Sequence, residues 1–169
     1  MNLFVIIEEF LEFEHVKFYT VKIEDEENEE RESETDEFIS RFDNEENEHF
    51  EEFSILLNSI ENIGKRGALP KYFRFENDAE ALPPPRGTNL GIIIPSDTEL
   101  RLYCIRLNAE IVILLNGGVK TENKAQDCPN VSRYFRFANS LSKKITQMII
   151  TKDITIKKKE LLGELEFYL

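Results

Sequence analysis

The residues best suited to chemistry are cations set on a strand pattern. In the segment LRLYCIRLNAEIVILLNGGVKT, residues 100–121, Leu100, Leu102, Cys104 (or its neighbour Tyr103) and Ile105 alternate with Arg101 and Arg106. Asn108 supplies a turn signal, and the run Ile111 to Leu115 has the β-branched character of a buried strand. Gly117-Gly118 breaks that strand, and Lys120 stands on the exit. Arginine offers a planar fork of donors that matches a phosphate, and lysine supplies a compact charge or, with a depressed pKa, a proton. Arg101, Lys120 and Arg106 are therefore the candidate catalytic residues, for a reaction at phosphorus.

The elements that must position these side chains follow from pattern. Leu3 to Ile7 and Val16 to Ile23 read as strands. The acidic run at 24–37 cannot bury apolar surface and reads as a solvated loop. Phe38, Ile39 and Phe42 then mark a short helix. Phe50, Phe53, Leu56, Leu57, Ile60 and Ile63 form the stripe of a longer one, with Asn47 as candidate N-cap and Gly64 as stop. Tyr72 to Phe75 and Leu90 to Ile94 look like strand pieces on either side of Pro83-Pro84-Pro85. The hairpin from Leu100 to Lys120 is expected to complete an antiparallel sheet. Asp127 to Pro129 signals a helix start, and Val131, Tyr134, Phe135, Ala138, Leu141, Ile145, Met148 and Ile149 keep helical spacing after it. The C-terminal extension at 153–169 reads as a small hairpin or strand.

With 169 residues, one domain spanning 1–169 is expected. The net charge of −12 is unevenly spread: Met1 to Ile63 carries −17 and Gly64 to Leu169 carries +5. An acidic front argues against nucleic acid as its partner, while the basic back two-thirds permits one. The two cysteines make no disulfide framework or paired metal motif, and a reducing cytoplasm is the expected setting. The short apolar stretch Leu3 to Ile7 lacks a charged region before it and is not read as a signal peptide; no run is long enough to span a membrane. His15 and His49 stand apart from other ligand types and read as surface or cap residues, so no metal is expected. No cofactor motif is present. Cys104 reads as a buried, inert thiol, and the acidic run lacks the glycine and spacing of a calcium loop.

The order strand, acidic loop, helix pair, Gly64-Lys65-Arg66-Gly67, strand with Phe73 and Arg74, Arg-bearing hairpin and Lys-bearing exit before a helix resembles the RelE/HigB-like toxins of type II toxin–antitoxin modules, in their phage-derived Gp49-like branch. The likeness covers roughly residues 16–141. It implies an α+β, RelE/ParE-like fold, with an N-terminal helix pair on a twisted antiparallel sheet and a further C-terminal helix. It also implies ribosome-dependent cleavage of mRNA by attack of the RNA 2′-hydroxyl, with a helix-turn-helix antitoxin as partner. On this likeness Arg101 and Lys120 fall at the phosphate-binding positions, and Lys65, Arg66, Lys71, Arg74 and Lys124 are expected to bind RNA. Where some members keep a proton-transfer residue near the end of the matched helix, this chain offers only Tyr134, whose spacing suits the core stripe at least as well. The other reading keeps the fold as an inactive binding module, whose acidic face holds a partner or mimics nucleic acid.

Overall fold

The computed structural model describes residues 3–24 and 31–169. The first hairpin is β1 (Phe4–Glu12) and β2 (Lys17–Glu24). Of the acidic run expected as a loop, residues 25–30 lie outside the described residues, and Glu34 to Glu37 open helix α1 (Glu34–Phe42) instead. Ser33 explains the start. Its Oγ accepts the Asp36 N–H at 3.1 Å, and three carboxylates then sit in the first turn, where the helix dipole favours them.

Helix α2 (Phe50–Arg66) follows. His49 rather than Asn47 is its N-cap, and Asn47 acts one step earlier by accepting the His49 N–H at 2.8 Å. Gly64 is interior, and the chain leaves the helix at Gly67, where φ is +112°. Gly64 is required by packing: a Cβ there would lie 2.3 Å from the Phe13 ring.

Strands β3 (Arg74–Glu76), β4 (Ala79–Leu82), β5 (Leu100–Arg106) and β6 (Ile111–Val119) form an antiparallel meander. The expected strand piece at Leu90 to Ile94 is a loop instead. Helix α3 (Ser132–Ile150) begins three residues after Pro129, and the tail forms the hairpin β7 (Ile154–Lys157) and β8 (Glu160–Gly163), then β9 (Glu166–Tyr168).

The main sheet has seven strands in the order β3-β4-β5-β6-β2-β1-β9. This corrects the fold expected from the sequence. The sheet is mixed, because β2 pairs parallel with β6, and the helices are not an N-terminal pair on a small antiparallel sheet. A RelE/ParE-like topology is therefore not supported. The physical reason lies in β2, which is covered on both faces. Val16 and Phe18 pack toward α1 and α2, whereas Tyr19 and Val21 pack toward α3. A strand buried on both sides belongs at the centre of a sheet. Three layers result, with α1 and α2 on one face and α3 with the β7–β8 hairpin on the other.

One irregularity bears on the site. Between the pairs Leu102/Gly117 and Cys104/Leu114, β6 sets Leu115 and Asn116 against the single residue Tyr103. This bulge frees carbonyls that the Thr35 hydroxyl reaches, those of Leu114 and Leu115, each at 3.0 Å. The start of α1 is thereby bonded to the strand that ends at the cationic exit.

Candidate functional site

Strand alternation gathers the charged groups on one face. Ala79, Ala81, Tyr103 and Ile105 all belong to the core on the α3 side. Arg74 and Glu76 stand opposite Ala81 and Ala79, so they share that face, and Arg101 lies two residues before Tyr103. The small alanines leave room above the sheet edge. Arg101 is opposite Gly118, and Lys120 leaves β6 with its N–H on the Glu99 carbonyl at 2.8 Å.

The two arginines are held by backbone oxygens. Arg101 Nη1 donates to the carbonyls of Thr98 (2.7 Å) and Leu100 (3.0 Å). Arg74 Nε donates to the Pro83 carbonyl at 2.9 Å, and its Nη2 reaches the Pro84 carbonyl and Thr98 Oγ1. Among the described residues, neither they nor Lys120 make an ion pair within 4.0 Å. Arg101 is only 8 % exposed, and its Nε has no partner there, nor has the buried Tyr103 hydroxyl. Buried donors without acceptors are uncommon and mark a place where an oxygen-rich group would be welcome.

Electrostatics follow from this crowding. Burial, and then the neighbouring Arg101, bring Arg74 down to about 10. Burial also lowers Arg101, against the pull of Tyr103 and Glu76. Burial lifts the Glu76 carboxyl above its ordinary range even though Lys120, Arg101 and Arg74 all pull it down. The Tyr103 hydroxyl is pushed up by burial and by Glu76. The corner thus combines three cations with one half-buried carboxyl of raised basicity. Such a set can hold a phosphate and move a proton beside it.

Of the residues expected from sequence, Arg101, Lys120 and Arg74 come together here. Arg106 does not: it closes the far end of β5, with its Nε on the Ala68 carbonyl on the α1/α2 side. Lys65 pairs with Glu61 at 2.9 Å on α2, and Arg66 lies against Gly91. Lys71 sits over the Tyr72 ring, and Lys124 is exposed ahead of the turn at Ala125–Asp127. Glu76 and Tyr103 are the residues that sequence reasoning missed. The signal for them was weak: one glutamate among many, and one tyrosine inside an apolar strand.

A second feature adjoins this corner. At the carboxyl ends of the parallel pair β2 and β6 the chain departs to opposite faces, to α1 from β2 and to α3 from β6. Crevices form at such switch points. Asn116, 3 % exposed, fills the floor; its amide donates to Glu34 and Glu37, and its Oδ1 accepts from Arg41. Beyond it opens a groove of about 1070 Å³, bounded by Gly118, Asn130, Arg133 and Tyr134 on one side and Glu46 and Glu48 on the other.

No family model, curated protein or solved structure matches the chain. Among the described residues, no helix is long and apolar enough to cross a membrane.

Proposed function

We propose that the chain cleaves RNA by attack of the 2′-hydroxyl on the adjacent phosphorus. The single observation behind this is the Glu76 carboxyl set among Arg74, Arg101 and Lys120 on one sheet face. The reaction needs a base for the 2′-hydroxyl, donors for the charge that grows on the phosphoryl oxygens, and an acid for the leaving 5′-oxygen. Glu76 is the base, Arg74 and Arg101 are the donors, and Lys120 is the acid. The cellular setting in this proposal is that of a cytoplasmic toxin cutting mRNA on the ribosome, restrained by a helix-turn-helix antitoxin. That setting draws on the sequence likeness over roughly residues 16–141, whereas the chemistry draws on the corner.

Growth after induction, with mapping of mRNA 5′ ends, tests both parts. Arrest with new ends, lost in Arg74→Ala and Lys120→Ala, is the expected result. Normal growth with intact mRNA, together with no cleavage of purified RNA, overturns the reading. The second reading, a non-catalytic binding module, is favoured by the small exposure of Arg101 and its engagement with carbonyls. It predicts a stable complex with a partner and no change in RNA length.

A further inference from the structure

The groove at the end of β6 begins where the cationic corner ends. Glu99, whose carbonyl holds the Lys120 N–H, lines it together with Gly118 and Thr121, so the two regions share a wall. Its volume lies just above the range of about 300–1,000 Å³ typical of small-molecule pockets, which suits a length of chain better than a compact ligand.

Its two walls differ in sign. Arg133 at the start of α3 is exposed and lies 4.6 Å from the Tyr134 ring centroid, while Arg41 covers the same ring at 5.3 Å. The opposite wall is the α1–α2 connection, where Glu46 is exposed and the Glu48 side chain is 87 % exposed, 3.5 Å from His49 Nε2. A single-stranded nucleic acid presents both complements. Its phosphates take guanidinium donors, its bases lie flat on guanidinium planes, and its base edges carry donors that a carboxylate accepts.

We infer that this groove receives the RNA next to the scissile phosphate and that Glu46 and Glu48 select a base bearing an exocyclic amino group, guanine above all, over uracil. Resting on the RNA-cleaving reading, it adds the substrate's sequence. A carboxylate only accepts hydrogen bonds. Guanine offers it two adjacent donors, N1–H and the 2-amino group, whereas uracil offers one N–H between two carbonyls that repel it. Arg133 supplies the phosphate contact and the stacking plane on the facing wall.

The test uses the whole chain and end-labelled hexauridylate, with and without one guanosine replacing an internal uridine. Cleavage beside the guanosine at least about tenfold faster than in hexauridylate is expected, in line with the roughly 1–3 kcal/mol by which such contacts discriminate. Glu46→Gln with Glu48→Gln should bring the two rates within threefold, because the advantage of the guanosine is lost. Arg133→Ala should weaken binding of the hexamer but not of a dinucleotide. Equal cleavage of both hexamers by the unaltered chain overturns the inference and leaves the nuclease reading standing. Cleavage of neither hexamer nor a mixed-sequence RNA, with or without added ribosomes, overturns that reading, and the inference with it.

Discussion

Arg74 and Arg101 share one residue between them: Arg101 donates to the carbonyl of Thr98 at 2.7 Å, and Arg74 reaches its hydroxyl at 3.4 Å. Two guanidinium groups are thus fixed side by side by neutral oxygens, and neither charge is spent on a carboxylate among the described residues. Like charges held together cost free energy; burial lowers both arginines, and the neighbouring Arg101 lowers Arg74 further. An anion placed between them would remove that cost.

The first prediction concerns this pair. Arg74→Ala should cost the fold less than Arg101→Ala, because Arg74 is only half-buried and just one of its bonds, to the Pro83 carbonyl at 2.9 Å, is short. It should lower RNA cleavage about 10²–10³-fold, the usual effect of removing one donor to a developing oxyanion. Arg101→Ala should lower cleavage as much and also destabilise the protein by about 1–3 kcal/mol, because the Thr98 and Leu100 carbonyls lose their donor. Cleavage assays beside thermal melts separate the two. Equal melting temperatures for both variants would contradict the structural part, and full activity in Arg74→Ala would contradict the chemical part.

Parts of this arrangement were legible in the sequence. The stripes of α2 and α3 and the β5–β6 hairpin follow from period, because burial of one face leaves a repeat that composition cannot hide. Arg106 could have been set aside at that stage. It is five residues from Arg101, an odd number, so on a strand it must face the other way and lie about 17 Å off. The parallel pairing of β2 with β6 was not legible, since a strand covered on both faces carries no alternation to show which neighbour it takes. Nor does period tell which side of the sheet α3 will cover. Glu76 joined the site only through pairing with Ala79, a long-range register that no local pattern records.

The pH dependence of cleavage is the second prediction. As a base, Glu76 must be ionised, and burial raises its pKa above the ordinary carboxyl range. The rate should therefore climb as pH rises through that raised value and then level off. Glu76→Gln should abolish this limb with the activity. It should bind uncleaved RNA at least as well as the unaltered chain, since a negative charge has gone. Weaker binding would make Glu76 a support for the arginines rather than the base.

Glu34 provides a third. Its carboxyl is raised by burial; the Asn116 amide lowers it, and Glu37 beside it raises it further. A raised carboxyl favours the folded state most when protonated, so this contribution is present at low pH and is lost as pH rises through the folded pKa. Glu34→Gln keeps an oxygen for Asn116 and removes the repulsion from Glu37. It should melt higher than the unaltered chain at neutral pH, with the gap closing toward about pH 4, the ordinary carboxyl range. A gap that stays constant across that window would show that charge is not the cause.

A fourth concerns how the tail is fastened. Lys17, 7 % exposed in its side chain, donates from Nζ to Glu9 at 2.5 Å and to Glu160 at 2.8 Å, so it joins the first hairpin to the last. Burial alone would lower this lysine, but the bonds to Glu160 and Glu9 outweigh it and the net shift is upward. The contribution is therefore complete through neutral pH and is lost only as pH rises beyond the ordinary lysine range. Lys17→Met should cost about 1–2 kcal/mol, since both carboxylates left behind can still reach water. Hydrogen exchange should locate the loss in residues 154–163. Uniform loss across the sheet would place the lysine in the core's own stability rather than in the fastening of the tail.

The glycine pair that ends β6 gives a ranking. A Cβ on Gly117 would lie 1.7 Å from the Arg101 carbonyl oxygen and 3.0 Å from Leu102 Cα, all backbone of the paired strand. A Cβ on Gly118 would instead meet the Asn130 carbonyl at 2.8 Å, on the connection leading into α3. The strand is fixed by the sheet on both sides, whereas the connection is a short turn that can shift by a few tenths of an ångström. Gly117→Ala should therefore cost about 3 kcal/mol or more, the upper range for overpacking, and displace Arg101 with its strand. Gly118→Ala should cost about 1 kcal/mol and leave the corner in place. Denaturant melts of the two variants check the order, and cleavage that survives in Gly118→Ala but not in Gly117→Ala would tie activity to the position of Arg101 rather than to stability. The reverse order would mean that the β5–β6 bulge, and not α3, absorbs the strain.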